Sequence, residues 1–190
     1  MRIVLVVRSQ ALRIASAVIR AKDFSERVSV LNLESDEETR NLATEAGAEI
    51  IDFKGPTNAP SIAKILNETV LENERTVIIS LDSDWKLSDM AKTVGLSQQG
   101  HDVFIAFKHR SKNSGSADTE LENPVESDTY SYSNTDIQFA NCSQAGLAAI
   151  SAQDATKSPA DLPSEIDVRV VELDLPIGPP KRESLASASR

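Results

Sequence analysis

No glycine precedes Gly47 in this 190-residue chain, so its first strand, loop and helix are built without one. A dinucleotide fingerprint needs glycines where backbone approaches pyrophosphate, and a Walker loop needs them around its lysine. Hydride transfer and P-loop phosphoryl transfer are therefore poor fits. So is sugar nucleotidyl transfer of the kind that uses a Gly-rich loop after the first strand. Cysteine is limited to Cys142, which excludes an internal disulfide and any multi-cysteine metal site. Two histidines, His101 and His109, leave little material for a zinc centre. Aromatic residues make up 4% of the chain against 40% hydrophobic, so the core must be mostly Val, Ile, Leu and Ala. Positive charge is scarce as well. A net charge of −9 argues against a nucleic-acid groove. An anionic small ligand must then find a local Arg/Lys cluster or a metal. No apolar run approaches the ~18 residues of a membrane span. The opening run meets Arg8 without a small-residue cleavage site, so it reads as a strand and not a signal peptide. A cytoplasmic protein is the expectation.

What is present is one repeated unit, a short β-branched run followed by a helical pattern. Strands are predicted at residues 3–7, 28–33, 48–53, 76–81 and 103–107. Between them Leu12, Ala15, Val18 and Ile19 fall at helical spacing. Ser35 as N-cap with Glu38 three residues on makes a capping box for a helix through Leu42, Ala43 and Ala46, stopped by Gly47. Pro60 suits the first turn of a third helix, with Ile62, Ile65, Leu66 and Thr69 on one face. A fourth helix carries Leu87, Met90, Ala91 and Val94 and ends at Gly95. A further helix is predicted over 143–152 and a strand over 168–173. This alternation predicts an α/β fold, a doubly wound, mostly parallel sheet with helices on both faces. Residues 1–177 form a single domain in this reading, 111–135 a mobile polar loop and 178–190 a flexible tail.

The feature with most chemical content is Asp82-Ser83-Asp84, directly after the apolar run 76–81. Ligands of open α/β sheets bind at the carboxyl ends of strands. Two carboxylates at i and i+2 past a strand end can turn toward one hard cation, Mg²⁺ or Mn²⁺, whose other ligands come from a diphosphate. The competing reading is a polar turn in which Asp84 caps the next helix. Lys108, His109, Arg110 and Lys112 follow the fifth strand and suit phosphate oxygens, or else form a solvated basic turn. Cys142 reads as a small buried side chain. Asp136 and Gln138 are read from position alone as loop polar groups.

Taken together, these motifs resemble the family-two glycosyltransferases with the A-type nucleotide-diphospho-sugar transferase fold, in particular the dolichol-phosphate-mannose synthase-like branch. That family's Asp-Asp-Gly-Ser-x-Asp-x-Thr run, leading to Leu-Ala and Gly-Ala, is similar to the stretch from Asn32 to Thr39 leading to Leu42-Ala43 and Gly47-Ala48. Its Leu-Asp-Ala-Asp metal motif is similar to Leu81-Asp82-Ser83-Asp84. Its Gly-x-Asp-Val strand and Ser-Arg pair resemble Gly100-His101-Asp102-Val103 and Lys108-His109-Arg110. Weaker echoes are Asp136-Ile137-Gln138 and the stretch from Glu172 to Ile177.

The resemblance implies Mg²⁺ or Mn²⁺ on Asp82 and Asp84 and a UDP- or GDP-linked sugar. It places Arg8, Ser9, Asn32, Glu34, Lys108 and Arg110 around the nucleotide and its phosphates, and Asp136 as acceptor-side base. The acceptor would be a lipid phosphate or a sugar, with peripheral attachment to the membrane surface and no transmembrane segment. Two departures stand out. Val7-Arg8-Ser9-Gln10-Ala11 replaces the family's Pro-x-Tyr-Asn-Glu, and Asn32-Leu33 replaces its acidic pair. They motivate the alternative of a non-catalytic, glycosyltransferase-like binding or regulatory domain.

Overall fold

A computed structural model of the chain describes residues 1–8, 11–33, 36–81, 94–95, 98, 100–107, 139–157 and 161–172. Its strands are β1 (Arg2–Val7), β2 (Arg27–Asn32), β3 (Glu49–Asp52), β4 (Thr76–Ser80), β5 (Val103–Phe107), β6 (Phe139–Cys142) and β7 (Val168–Glu172). The helices are α1 (Ala11–Lys22), α2 (Glu37–Glu45), α3 (Ala59–Thr69) and α4 (Gln144–Ser151). The seven strands form one sheet in the order β3-β2-β1-β4-β6-β5-β7. β3, β2, β1 and β4 pair in parallel, β6 runs against both β4 and β5, and β7 is parallel to β5. Among the described strands only β6 is reversed, so the sheet is mostly parallel as expected.

Every residue of β1 is buried, because helices cover both faces of the sheet. Alternate side chains feed two cores. Ile3, Leu5 and Val7 pack with Ile14, Ala17, Val18 and Ala21 of α1 and Ala43 of α2. Val4 and Val6 belong with Ala63 and Leu66 of α3 and Leu147 and Ile150 of α4. The fold is thus doubly wound.

Three details correct the sequence reading. In α1 the buried stripe is Ile14, Ala17, Val18 and Ala21, whereas Leu12 and Ile19 lie exposed. The helix is apolar around most of its circumference, so spacing alone does not choose its phase, and the small Ala17 and Ala21 let it approach the sheet. The N-cap of α2 is Asp36, not Ser35. Its backbone is extended and its carboxylate accepts from the Thr39 N–H at 2.7 Å. The third correction is β6, which the alternation of five parallel strands did not anticipate. Its four residues Phe-Ala-Asn-Cys are too few to display a period, and Asn is a poor strand former. Asn141 is tolerated in the middle of the sheet because Arg75 Nε donates to its Oδ1 at 3.0 Å.

Other expectations hold. Gly47 has φ +84°, the left-handed conformation that ends a helix at its C′ position. Pro60 sits in the first turn of α3 behind the Asn58 cap. Helix α4 and strand β7 lie where they were predicted. Of the helix expected around Leu87 only the end is described, and Val94 and Gly95 are helical. Residues 111–135 and 178–190 lie outside the described residues.

The amino edge of the parallel strands is tied down by arginines. Arg2 is fully buried. Its Nη1 donates to the Thr69 carbonyl at 3.2 Å and to Thr69 Oγ1 at 2.8 Å, and its Nη2 donates to the Leu66 carbonyl at 3.0 Å. These carbonyls belong to the last turn of α3, which no backbone N–H of the helix can satisfy. Burial, and then the neighbouring Arg27, lower the Arg2 pKa, while Glu74 and Glu49 oppose the shift. Arg27 also donates to the Thr69 carbonyl and pairs with Glu74. At this same edge Gly146 of α4 lies so close to the Asp102 carbonyl and Val103 that a Cβ would collide with both. Among the described residues no helix is long and apolar enough to cross a membrane.

Candidate functional site

The strand order reverses between β1 and β4, with β2 and β3 on one side of β1 and the remaining strands on the other. In open α/β sheets that reversal leaves a crevice at the carboxyl ends of the strands, where ligands bind. Backbone bonds carry the ladders one residue past the strands there. Leu33 N donates to the Val7 carbonyl at 2.8 Å, Phe53 N to Asn32 at 3.0 Å, and Leu81 N to Val6 at 3.0 Å. Arg8, Leu33, Phe53 and Leu81 therefore leave the sheet at one edge. Asp82 is the next residue in sequence after Leu81.

The described side chains at this edge form two small sets. Arg8 Nη2 donates to Thr57 Oγ1, in the loop before α3, at 3.2 Å. Asn32, only 6% exposed, ends β2 directly opposite Asp52 at the end of β3. Its Nδ2 donates to Asp52 Oδ1 at 2.8 Å, and Asp52 Oδ2 pairs with Arg40 Nη2 of α2 at 3.0 Å. Asp52 and Arg40 are each about half exposed.

Helices α1, α2 and α3 all follow parallel strands, so their amino ends meet this edge and contribute partial positive charge. In α2 that charge is offset by Asp36, Glu37 and Glu38, whereas α1 and α3 carry no acidic residue in the first turn. Hydrogen bonding from Thr39 holds the Asp36 carboxyl below the ordinary carboxylate pKa. On an acidic protein, the amino ends of α1 and α3 beside Arg8 make this edge locally receptive to an anion.

Of the residues singled out from sequence, Arg8 and Asn32 are brought to this edge. Ser9, Glu34, Asp82, Asp84, Lys108, Arg110 and Asp136 lie outside the described residues, as does His109. Asp52, Arg40 and Thr57 were missed. A carboxylate closing the apolar pair Ile50-Ile51, in register with Asn32, was the available signal for Asp52. Cys142 is fully buried at the other edge, where burial pushes its thiol pKa up to about 12, so it is inert as a nucleophile. His101 also lies at that other edge, with Nδ1 2.9 Å from Asp167 Oδ2. Among the described residues no group of three or more His, Cys, Asp or Glu is placed to hold a metal ion.

No protein-family model and no curated protein matches this sequence. Solved structures do match the fold. A putative glucose-1-phosphate thymidylyltransferase from Bacillus anthracis, crystallised with a sucrose, is 11% identical with a TM-score of 0.54, over 92% of this chain and 87% of that one. The inositol-1-phosphate CTP transferase from T. maritima is 18% identical with a TM-score of 0.51, over 90% and 85%. Glucosyl-3-phosphoglycerate synthase from Mycobacterium tuberculosis, with Mg²⁺ and uridine diphosphate, is 15% identical with a TM-score of 0.45, over 56% of this chain. The chain spans 43% of the length of that synthase. The thymidylyltransferase and the CTP transferase, each matched over 85% or more of both chains, share the α/β fold of this chain.

Proposed function

We propose that this chain transfers a sugar from a UDP- or GDP-linked donor to a lipid-phosphate or sugar acceptor, with the help of Mg²⁺ or Mn²⁺. The observation that carries the reading is the convergence of Arg8, Asn32 and the chain entering Asp82-Ser83-Asp84 on the crevice where strand order reverses. Asn32 and Glu34 would face the base and ribose, and Arg8, Ser9 and the amino ends of α1 and α3 the diphosphate. Asp82 and Asp84 supply hard carboxylate oxygens, the donor chemistry that suits Mg²⁺ or Mn²⁺. Such an ion acts as a Lewis acid for a diphosphate leaving group. Lys108 and Arg110 add positive charge for the same group. Asp136 takes the proton of the acceptor oxygen as that oxygen replaces the diphosphate at the anomeric carbon. The glycine-free connection Arg8-Ser9-Gln10 favours a diphosphate donor over a triphosphate cradled by a Gly-rich loop.

A second reading, a nucleotide-binding domain without turnover, is favoured by Asn32 occupying a position where the resemblance expects an acid. Calorimetry with UDP and GDP, each with and without Mn²⁺, tests both. Binding that Mn²⁺ strengthens and Asp82→Ala abolishes is expected. The absence of any binding at about millimolar nucleotide rejects the nucleotide site itself. Binding without donor hydrolysis or transfer selects the second reading.

A further inference from the structure

We propose that the outer face formed by α1 and α2 docks a second copy of this chain, about a two-fold axis running along α1. The core stripe of α1 is Ile14, Ala17, Val18 and Ala21, yet two more large aliphatic side chains stand on its outer side. Leu12 is 100% exposed and Ile19 59%. They stand at i and i+7, along one line of the helix. Arg13 and Arg20 each follow by one residue, so a basic line runs beside the apolar one. No acidic residue occurs in α1, although the whole chain carries a net charge of −9. Exposed aliphatic side chains bordered by charge are the composition of an interaction surface.

What this surface fits is set by its neighbour. Helix α1 packs against α2, and the Lys22 ammonium lies over Gly47, just past the end of α2. Lys22, at i+3 from Ile19, and Arg20, at i+1, fall on opposite sides of the apolar line, so Arg13 and Arg20 face away from α2. The outer side of α2 is acidic, with Glu37, Glu38 and Glu45 exposed. Its one base, Arg40, is engaged by Asp52. Among the described residues these three glutamates, Arg13 and Arg20 form no ion pair. The surface therefore runs from acidic to apolar to basic. A half-turn about an axis along α1 sets one apolar line on the other and lays each basic line over the partner's α2. A half-turn across α1 would put acid on acid. A planar anionic lipid surface that met Arg13 and Arg20 would meet the glutamates of α2 as well, which disfavours it. Both helices run back along the strands they follow, so this axis leaves the two carboxyl edges opening on the same side of the dimer. The face is two helices wide, the scale of a reversible association and not an obligate one.

Sedimentation equilibrium of the full chain, from about 1 to 200 µM, tests the proposal. A monomer–dimer equilibrium with a Kd of about 10–100 µM is expected in dilute salt, weakened at least about threefold by ~0.5 M NaCl. Ile19→Glu changes an exposed side chain, so the melting temperature should hold while the dimer weakens at least about tenfold. Two charge-reversed chains decide the pairing. Arg13→Glu with Arg20→Glu makes both flanks acidic, and Glu38→Lys with Glu45→Lys makes both basic. Each is expected to be monomeric alone, and their equimolar mixture to regain a dimer within about threefold of wild-type affinity. A wild type that stays monomeric throughout overturns the proposal. So does a dimer indifferent to Ile19→Glu and to both reversals, which would use another face, and so does a mixture that stays monomeric. Flotation with phosphatidylserine–phosphatidylcholine vesicles is expected to leave the chain in solution. Vesicle binding that Ile19→Glu abolishes would assign the face to a lipid surface and overturn the dimer.

Discussion

Arg2 and Arg8 stand at opposite ends of β1 and differ in what they touch. Arg2 is buried and donates to the carbonyls of Leu66 and Thr69, backbone groups of a helix end. Arg8 is exposed and donates to the hydroxyl of Thr57, a side chain that can turn away when a ligand arrives. The same contrast runs along both edges of the sheet. At the amino edge, guanidinium groups of Arg2, Arg27 and Arg75 bond to main-chain carbonyls and close helix and strand ends. At the carboxyl edge, Asn32, Asp52 and Arg40 bond to one another through side chains. Stability is concentrated at one end of the strands, and exchangeable polar groups are gathered at the other.

The sharpest way to break this comparison is at Arg2. Arg2→Met removes three hydrogen bonds from the buried last turn of α3, and should cost about 2–4 kcal/mol of unfolding free energy in urea titration. Arg8→Met should move the same midpoint far less, and equal shifts would show that the two edges are not specialised. A second probe of the amino edge is Gly146→Ala. The added methyl collides with the Asp102 carbonyl and Val103, so α4 must lift from β5, at a cost of about 1–3 kcal/mol by the same measurement.

The smallest effect is expected at the carboxyl edge, at the exposed Asp36 cap. Asp36→Ala should lower the melting temperature by less than either amino-edge substitution. Because the folded Asp36 pKa is depressed, its contribution is complete above the unfolded carboxylate value of about 3.9 and fades as pH falls through the lower folded value. Melts of both proteins should therefore converge at the acid end of a pH series. A gap that persists there would mean that the capping carboxylate is not the source of the difference.

The parallel half of the sheet was legible in the sequence because each buried strand is a run of β-branched residues followed by a helix with its own stop signal, such as Gly47. Strand β6 was not, since its place depends on Arg75 meeting Asn141, a contact across distant parts of the chain that no local pattern encodes. The phase of α1 was hidden for a different reason. Leu12 and Ile19 match the core residues in hydrophobicity, and only packing against β1 distinguishes them. At the candidate site, Asn32 was visible through its place after an apolar strand. Asp52 was marked in the sequence only as a carboxylate closing the apolar pair Ile50-Ile51, and its pairing with Asn32 emerged when the β2–β3 register set the two residues side by side.

The reversed strand β6 also dictates the order in which the molecule can be completed. β4 pairs with β1 as soon as both exist, but its other side waits for residues 139–142. Roughly 60 residues must be synthesised in that interval, about 3–12 s at ordinary translation rates. Throughout it, β4 offers the open donors and acceptors of a sheet edge carrying Val77, Ile78 and Ile79, the kind of surface that recruits foreign strands. Insertion of β6 then closes β4 and β5 in a single event, because both ladders are made by the same four residues. The nascent chain is most vulnerable to aggregation between the birth of β4 and the arrival of Cys142.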